Sequence, residues 1–317
     1  MKKESKLNLI GSLLLLIATL SWGSSFLILK NTMDKAPGFF IIAVRFIFVG
    51  IVLALVFVKR LIKIDKSTIR YGIILGVVVG MAYFTQTWGL KNTTPSSNAF
   101  LTATYCIMCP FLYWLMFKKK PKSYHLIAAV MCLVGIALIS FFSGQETSAK
   151  NKLLGDGLTL CSAVFFSLQI IVIDKSQEHS KDPIVLVILQ SLMVGLILLV
   201  CYFIFEFPKG GIEQLKEIGR PQWTSIAYLT IVCTLLTQFE QIFGQKFVPA
   251  NQSALILSLE AVFGMMFSVI FGSEKLTVAL IIGFALTFGA VLIGELKISP
   301  FEKIIAKRKN NGCSGNK

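Results

Sequence analysis

The strongest constraint in this sequence is a string of ten apolar runs, each close to the length of helix that crosses a bilayer. About 20 residues of α-helix span the hydrocarbon core. The runs lie near 8–30, 38–58, 69–90, 95–117, 124–142, 153–173, 183–205, 222–244, 249–271 and 277–296, joined by segments too short for an independent domain. In hydrocarbon each backbone polar group has to be satisfied inside its own segment, and a helix does this. Composition agrees, since 55% of the 317 residues are hydrophobic and 15% are charged. A soluble domain carries about 25% charged residues. The sequence therefore predicts an all-α integral membrane protein of ten transmembrane helices.

The net charge is +15, from 31 Lys and Arg against 16 Asp and Glu. The basic residues cluster between the runs, without the basic groove and interleaved aromatics of single-strand binding, so nucleic acid is not expected as a partner. With the N-terminus inside, 21 of them fall on inside segments and 9 outside, Arg45 being within a span. That bias predicts a multi-pass protein of the cell membrane with both termini cytoplasmic. Lys2, Lys3 and Lys6 precede the first run, which lacks an A-x-A-like cleavage site and reads as a retained span. The basic clusters at 59–70 and 118–122 are topology determinants first, with contact to anionic lipid a second use. Between Glu206 and Pro221, Ile212, Leu215 and Ile218 share one face, which suits a short interfacial helix.

Six cysteines, Cys106, Cys109, Cys132, Cys161, Cys201 and Cys233, lie within apolar runs, which is no secreted disulfide framework. Cys106-x-x-Cys109 has neither a second Cys pair nor a nearby His, so it reads as core packing rather than a metal site. No cofactor is expected. There is no G-x-x-x-x-G-K-[ST] phosphate loop, so any energy must come from an ion or solute gradient. No clustered acid, base and metal set marks a membrane enzyme.

An internal match sets the architecture. Gly89-Leu90-Lys91 through Asn98-Ala99 resembles Gly244-Gln245-Lys246 through Ser253-Ala254, and Gly135 to Ile139 resembles Gly289 to Ile293. Near the starts of the halves Trp22 falls opposite Phe166, and Arg45 opposite Gln190. Residues 8–142 and 153–296 therefore look like two copies of a five-span unit, dividing the chain at 1–150 and 151–317. Five is odd, so the second copy enters the membrane upside down. Inverted repeats place a substrate site at their interface near midplane and permit alternating access.

Five plus five spans, Trp22-Gly23-Ser24-Ser25-Phe26 in span 1, Arg45 in span 2 and Gly272-Ser273-Glu274-Lys275-Leu276 after span 9 resemble the EamA branch of the drug/metabolite transporter superfamily. The resemblance covers about residues 8–296. It implies a ten-helix bundle associated with export of amino acids or other small metabolites. Two departures stand out: Glu260 is followed by Ala261 where the family often has Pro, and Lys118-Lys119-Lys120-Pro121 replaces a Gly-x-Glu-Arg/Lys-type turn.

Polar residues at bilayer depth are costly and normally face the bundle interior. Asn98, Thr102, Tyr105 and Cys109 share one stripe of span 4. Ser253, Leu257, Glu260 and Gly264 form the equivalent stripe of span 9, with Tyr105 opposite Glu260. Glu260 reads either as a proton- or amine-binding carboxyl or as a structural acid between helices. Thr230, Thr234, Thr237, Gln238, Gln241 and Gln245 on one face of span 8 read as a wetted path or as interhelical glue. Glu240 lies off that stripe as a headgroup-level acid, while Thr85 and Gln86 are the repeat partners of Glu240 and Gln241. Trp22 and Ser25 in span 1 match Phe166 and Gln169 in span 6, as aromatic walls with polar groups beside them. Arg45 would bind a carboxylate substrate, pair with an acid, or snorkel from the outer third of its span. Gly72, Gly76 and Gly80 mark close helix packing in span 3.

These features predict a secondary transporter of small organic solutes, working outward by rocking two five-helix units. Spans 1, 3, 4, 6, 8 and 9 line its cavity. The expected substrate-binding set is Trp22, Ser25, Asn98, Tyr105, Phe166, Gln169, Gln238, Gln241 and Glu260. Proton coupling through Glu260 is one expectation, and a monomer or homodimer in the bilayer another. The alternatives are a proton-coupled cation or drug extruder, a sugar-phosphate or nucleotide-sugar carrier short of cavity cations, a membrane enzyme, and a non-transporting receptor.

Overall fold

The computed structural model describes residues 2–93, 95–141, 152–180, 182–271 and 278–295. They form α1 (Lys2–Met33), α2 (Gly38–Val56), α3 (Lys66–Asn92), α4 (Pro95–Phe117), α5 (Ser123–Phe141), α6 (Lys152–His179), α7 (Pro183–Lys209), α8 (Arg220–Gln245), α9 (Ala250–Ile270) and α10 (Val278–Glu295). Eight are long and apolar enough to cross a membrane; α5 and α10 contain the shorter apolar stretches Ser123–Gly135 and Ile281–Ile293. The sequence 272–276, the repeat junction at 142–151 and the basic tail from 303 to 317 lie outside the described residues. The expected helix near Ile212 is present as one short piece, Gly211–Lys216. Below, the proximal face of the bundle is the one where α1 begins, and the distal face is the opposite one.

The repeats interleave, and their contacts show that the second is inverted. A Cβ on Gly50 of α2 would lie 2.6 Å from the Leu192 side chain of α7, and one on Gly195 of α7 would lie 2.5 Å from Ile47 of α2. Residue numbers rise along one helix as they fall along the other, so these two repeat-equivalent helices run antiparallel. Their ends agree. Arg60, just beyond α2, pairs with Asp182 before α7 at 3.0 Å, while Glu206 of α7 accepts from the Phe39 N–H of α2 at 2.9 Å and pairs with Lys91. Between membrane helices there is little hydrophobic drive, so small residues that admit a neighbour supply close packing. Gly72, Gly76 and Gly80 do this in α3, receiving Leu189, Met193 and Ile197 of α7.

Pairing also crosses the repeats at α3 with α6 and at α1 with α8. Gly89 meets Gly155 and Thr159, and Gly244 meets Gly11 and Leu15. These two contacts are the same contact seen twice, once from each repeat. The halves are therefore interleaved rather than separate lobes.

Three helices depart from regular geometry around the bundle centre. α4 breaks at Thr104, between Pro95–Ala103 and Tyr105–Phe117, and α9 breaks at Ser258, between Ala250–Leu257 and Leu259–Ile270. The Thr104 hydroxyl donates to the Leu101 carbonyl and the Ser258 hydroxyl to the Leu255 carbonyl, both at 2.6 Å. Such local hydroxyl bonds compete with the helical ladder. In α8 the turn Ile231–Leu236 is a π segment, a form concentrated at functional sites.

Candidate functional site

A narrow cavity of about 40 Å³ lies at the centre, lined from α1, α3, α4, α6, α8 and α9, the six helices expected. Its walls follow the repeat. Trp22 and Phe166, Ser25 and Gln169, and Phe26 and Ile170 are equivalent positions of α1 and α6, and all six line it. Gln86 of α3 matches Gln241 of α8, and Tyr105 of α4 stands opposite Glu260 of α9 in the same alignment. Tyr83 and Leu257 complete the lining, and Tyr83 is the repeat partner of Gln238. The breaks at Thr104 and Ser258 immediately precede the segments bearing Tyr105 and Glu260.

The polar groups are held from behind. Gln169 donates to the Gln241 side chain at 2.9 Å, bridging α6 and α8, and Gln86 donates to the Thr102 hydroxyl at 3.1 Å. The Trp22 indole N–H donates to the Cys233 carbonyl at 3.2 Å, within the π segment. That bond fixes the indole against α8 and leaves its ring as a cavity wall. Tyr83 stands edge-on to Phe166, with centroids 5.6 Å apart, and to Phe46 at 5.0 Å. Two groups stand out. The buried Tyr105 hydroxyl lies beside the Glu260 carboxyl, short of regular hydrogen-bond geometry, and Glu260, 6% exposed, has no ion pair among the described residues. A buried polar atom left unpaired is a cost that a ligand can remove.

Seven of the nine expected residues line this cavity, and Asn98 and Gln238 do not. Asn98 sits where α3, α4 and α6 meet, its amide donating to the Gln86 carbonyl at 3.3 Å and the Thr159 hydroxyl at 2.8 Å. Gln238 accepts from Gln190 of α7 at 2.6 Å. Gln238 lies directly after the π turn, where the helical phase shifts, while Gln241 further along the same helix still faces the cavity. The other polar groups of that α8 face are also buried in internal bonds. Thr230 donates to the Ile226 carbonyl, Thr237 to the Thr234 carbonyl, and Gln245 to the Ile170 carbonyl of α6. The face ties the bundle together, and only Gln241 reaches the cavity.

Arg45 is 2% exposed, with Nε donating to the Thr234 hydroxyl at 3.0 Å and Nη2 to the Cys233 carbonyl at 3.4 Å. It anchors α2 to the π segment and does not line the cavity. Glu240 is half-buried, with Oε2 enclosed and without a partner among the described residues. Sequence reasoning did not name Phe26 or Ile170, ranked Tyr83 below Trp22 as a cavity residue, named Gln86 only as the partner of Gln241, and put Leu257 on the Glu260 stripe without assigning it to the site. The repeat carried the signal for three of them: Phe26 and Ile170 are partners beside the Ser25–Gln169 pair, and Gln86 is the partner of Gln241.

Polar side chains tie helix ends together on both sides of the cavity. Proximally, Asp174 of α6 accepts from the Ala250 N–H at the start of α9 and from the Tyr113 hydroxyl of α4, each at 3.3 Å. Distally, Lys30 of α1 donates to the carbonyls of Leu90 and Thr93 at the end of α3, at 2.6 and 3.1 Å. Thr93 in turn donates to Asp156 of α6 at 2.7 Å.

Comparison with known proteins agrees with this architecture. Residues 9–141 and 153–294 each match the EamA-like transporter family. An uncharacterized transporter of Archaeoglobus fulgidus is 28% identical over 93% of this chain and 89% of its own length. The uncharacterized transporter YetK of Bacillus subtilis is 20% identical over 87% and 83%. A solved crystal structure superposes with a TM-score of 0.72 at 18% identity, covering 90% of this chain and 96% of that one.

Proposed function

This chain belongs to the EamA-like transporter family, and from that premise we propose that its central cavity carries a small amine-bearing solute, such as an amino acid or related metabolite, outward across the cell membrane. The observation that carries this reading is the pairing of Glu260 with aromatic walls in a cavity to which no lysine or arginine contributes. A carboxyl at bilayer depth is costly unless paired, and an ammonium group meets both Glu260 and the faces of Trp22, Tyr83 and Phe166. Gln86, Gln169 and Gln241 would serve the rest of a polar solute, and the Tyr105 hydroxyl beside Glu260 would bond the carboxyl or the solute. With Arg45 bound to α8, the same features favour a cationic drug or metabolite extruder as second reading. They disfavour phosphorylated substrates.

Both termini are taken as cytoplasmic from the Lys and Arg distribution, which makes the proximal face cytoplasmic. The repeats are taken as 1–150 and 151–317. Alternating access would release the proximal tie at Asp174 and the distal tie at Lys30 in turn, shifting the cross-repeat helix pairs rather than two free halves. Glu260 would exchange a proton for the solute ammonium, drawing on a proton gradient.

The test compares extracellular metabolites from cells expressing the protein, cells expressing Glu260→Gln and empty controls. One amine class accumulating outside only with the intact protein is the expected result. Three indistinguishable media would overturn export of native amines.

A further inference from the structure

A groove at the proximal ends of α2, α3 and α7 takes no part in the cavity. The chain leaving α2 makes one short helical turn, Val58–Leu61, and then reaches Asp65, which starts α3 by accepting from the Thr68 N–H at 3.1 Å and its hydroxyl at 2.6 Å. Asp182 starts α7 by accepting from the Ile184 N–H at 3.0 Å and is also held by Arg60. The groove between is lined by Lys59, Arg60, Lys63, Asp65, Thr68 and Asp182. Both its acids are engaged by helix starts, and Arg60 by Asp182. Lys59 and Lys63 are exposed and have no ion pair among the described residues, with Lys66 and Arg70 close behind in sequence.

The same segment carries an apolar shelf. Leu55 is 71% exposed, Val56 66%, Val58 50% and Ile62 79%. Side chains this bare beside a membrane helix are covered by acyl chains. Cation and apolar surface alternate along one short stretch, which is the layout of a lipid-facing interfacial segment.

We infer that this groove binds the phosphate headgroup of an anionic phospholipid, with Lys59 and Lys63 at the phosphate and the acyl chains along Leu55 and Ile62. A soluble phosphate ester would satisfy the two lysines but leave the shelf bare, so the occupant is a lipid. A basic pocket between helix ends attracts such headgroups because each lysine near an anionic surface contributes independently. The inference does not depend on what the central cavity carries.

The test uses the purified full-length protein in phosphatidylcholine nanodiscs. Dioleoylphosphatidylglycerol, additional dioleoylphosphatidylcholine or glycerol 3-phosphate is supplied while thermal unfolding is followed. Only phosphatidylglycerol should raise the midpoint. Lys59→Gln/Lys63→Gln should melt as the wild type does in phosphatidylcholine alone, yet need roughly tenfold more phosphatidylglycerol for the same rise. Lys118→Gln/Lys119→Gln, in the other basic cluster, should respond like the wild type. Should the double variant not fold, native mass spectrometry of Lys63→Gln supplies the comparison, with loss of a retained phosphatidylglycerol expected. An unchanged response in the Lys59/Lys63 variants overturns the site. A glycerol 3-phosphate effect equal to that of the lipid would make it a soluble-phosphate site instead.

Discussion

Lys30 and Asp174 occupy equivalent positions in the two repeats and hold opposite faces of the bundle with opposite charges. Lys30 donates to carbonyls at the C-terminal end of α3, and Asp174 accepts from the N–H at the start of α9. Each charge meets the helix end that its sign suits, since a helix C-terminus favours cations and an N-terminus favours anions. Removing either should loosen its own face only. A cysteine placed at Gln241 should be labelled by a polar thiol reagent several-fold faster from the proximal side in Asp174→Ala. Lys30→Gln should speed labelling from the distal side. Equal effects on both sides would exclude separate closures.

Glu260 and Tyr105 are expected to separate by role. Glu260→Gln should abolish response to a proton gradient while leaving the protein folded. Tyr105→Phe should keep that response but weaken solute affinity by roughly tenfold, the scale of one lost hydrogen bond in a buried site. Transport assays in proteoliposomes with and without a pH gradient distinguish the two. An unaltered gradient dependence in Glu260→Gln would remove the proton role.

Thr234→Val should destabilise the protein by about 1.5–3 kcal/mol, the worth of a hydrogen bond to a charged group, because Arg45 remains buried with one acceptor fewer. Thr224, exposed at the start of α8 and bonded only to the Arg220 carbonyl of its own helix, gives the control. Its valine variant should change stability by less than about 0.5 kcal/mol, as exposed substitutions do. Unfolding midpoints in detergent compare the pair, and equal midpoints would show that Arg45 does not rely on Thr234.

Gly76→Leu should cost about 1–3 kcal/mol or prevent assembly, because the added side chain meets Met193 on a packed helix. Gly157 has nothing within 4 Å of an added Cβ, so Gly157→Ala should be tolerated. Expression and size-exclusion profiles of the two variants report the difference.

Much of this fold was legible because hydrophobic length and positional repetition are properties of sequence. The ten apolar stretches, the inverted halves and the six cavity helices followed from them. The glycine stripe of α3 could also be read directly, since its spacing is the contact. Asn98 and Gln238 were misplaced because helical phase was extrapolated as if each span were regular. The π turn at Ile231–Leu236 leaves no compositional mark, and Gln238 directly after it bonds to Gln190 of α7. Arg45 was open to several readings because its partners are a hydroxyl and a backbone carbonyl of that turn, neither of which a charge-pairing search would find. The breaks at Thr104 and Ser258 depend on hydroxyls bonding locally, which Ser and Thr do in many regular helices too.

The paired lining of the cavity bears on direction. Where both repeats present the same residue, as at Gln86 and Gln241, a solute meets identical chemistry whether it enters from one face or the other. Gradients set the direction of net flux, and a perfectly two-fold cavity would bind its solute equally well from either face. Any bias in its energy landscape must therefore arise where the partners differ: tryptophan against phenylalanine at positions 22 and 166, serine against glutamine at 25 and 169, tyrosine against glutamate at 105 and 260. Exchanging Tyr105 and Glu260 within one chain would move the carboxyl to the other side of the pseudo-axis and reverse that bias, with the helices left where they are.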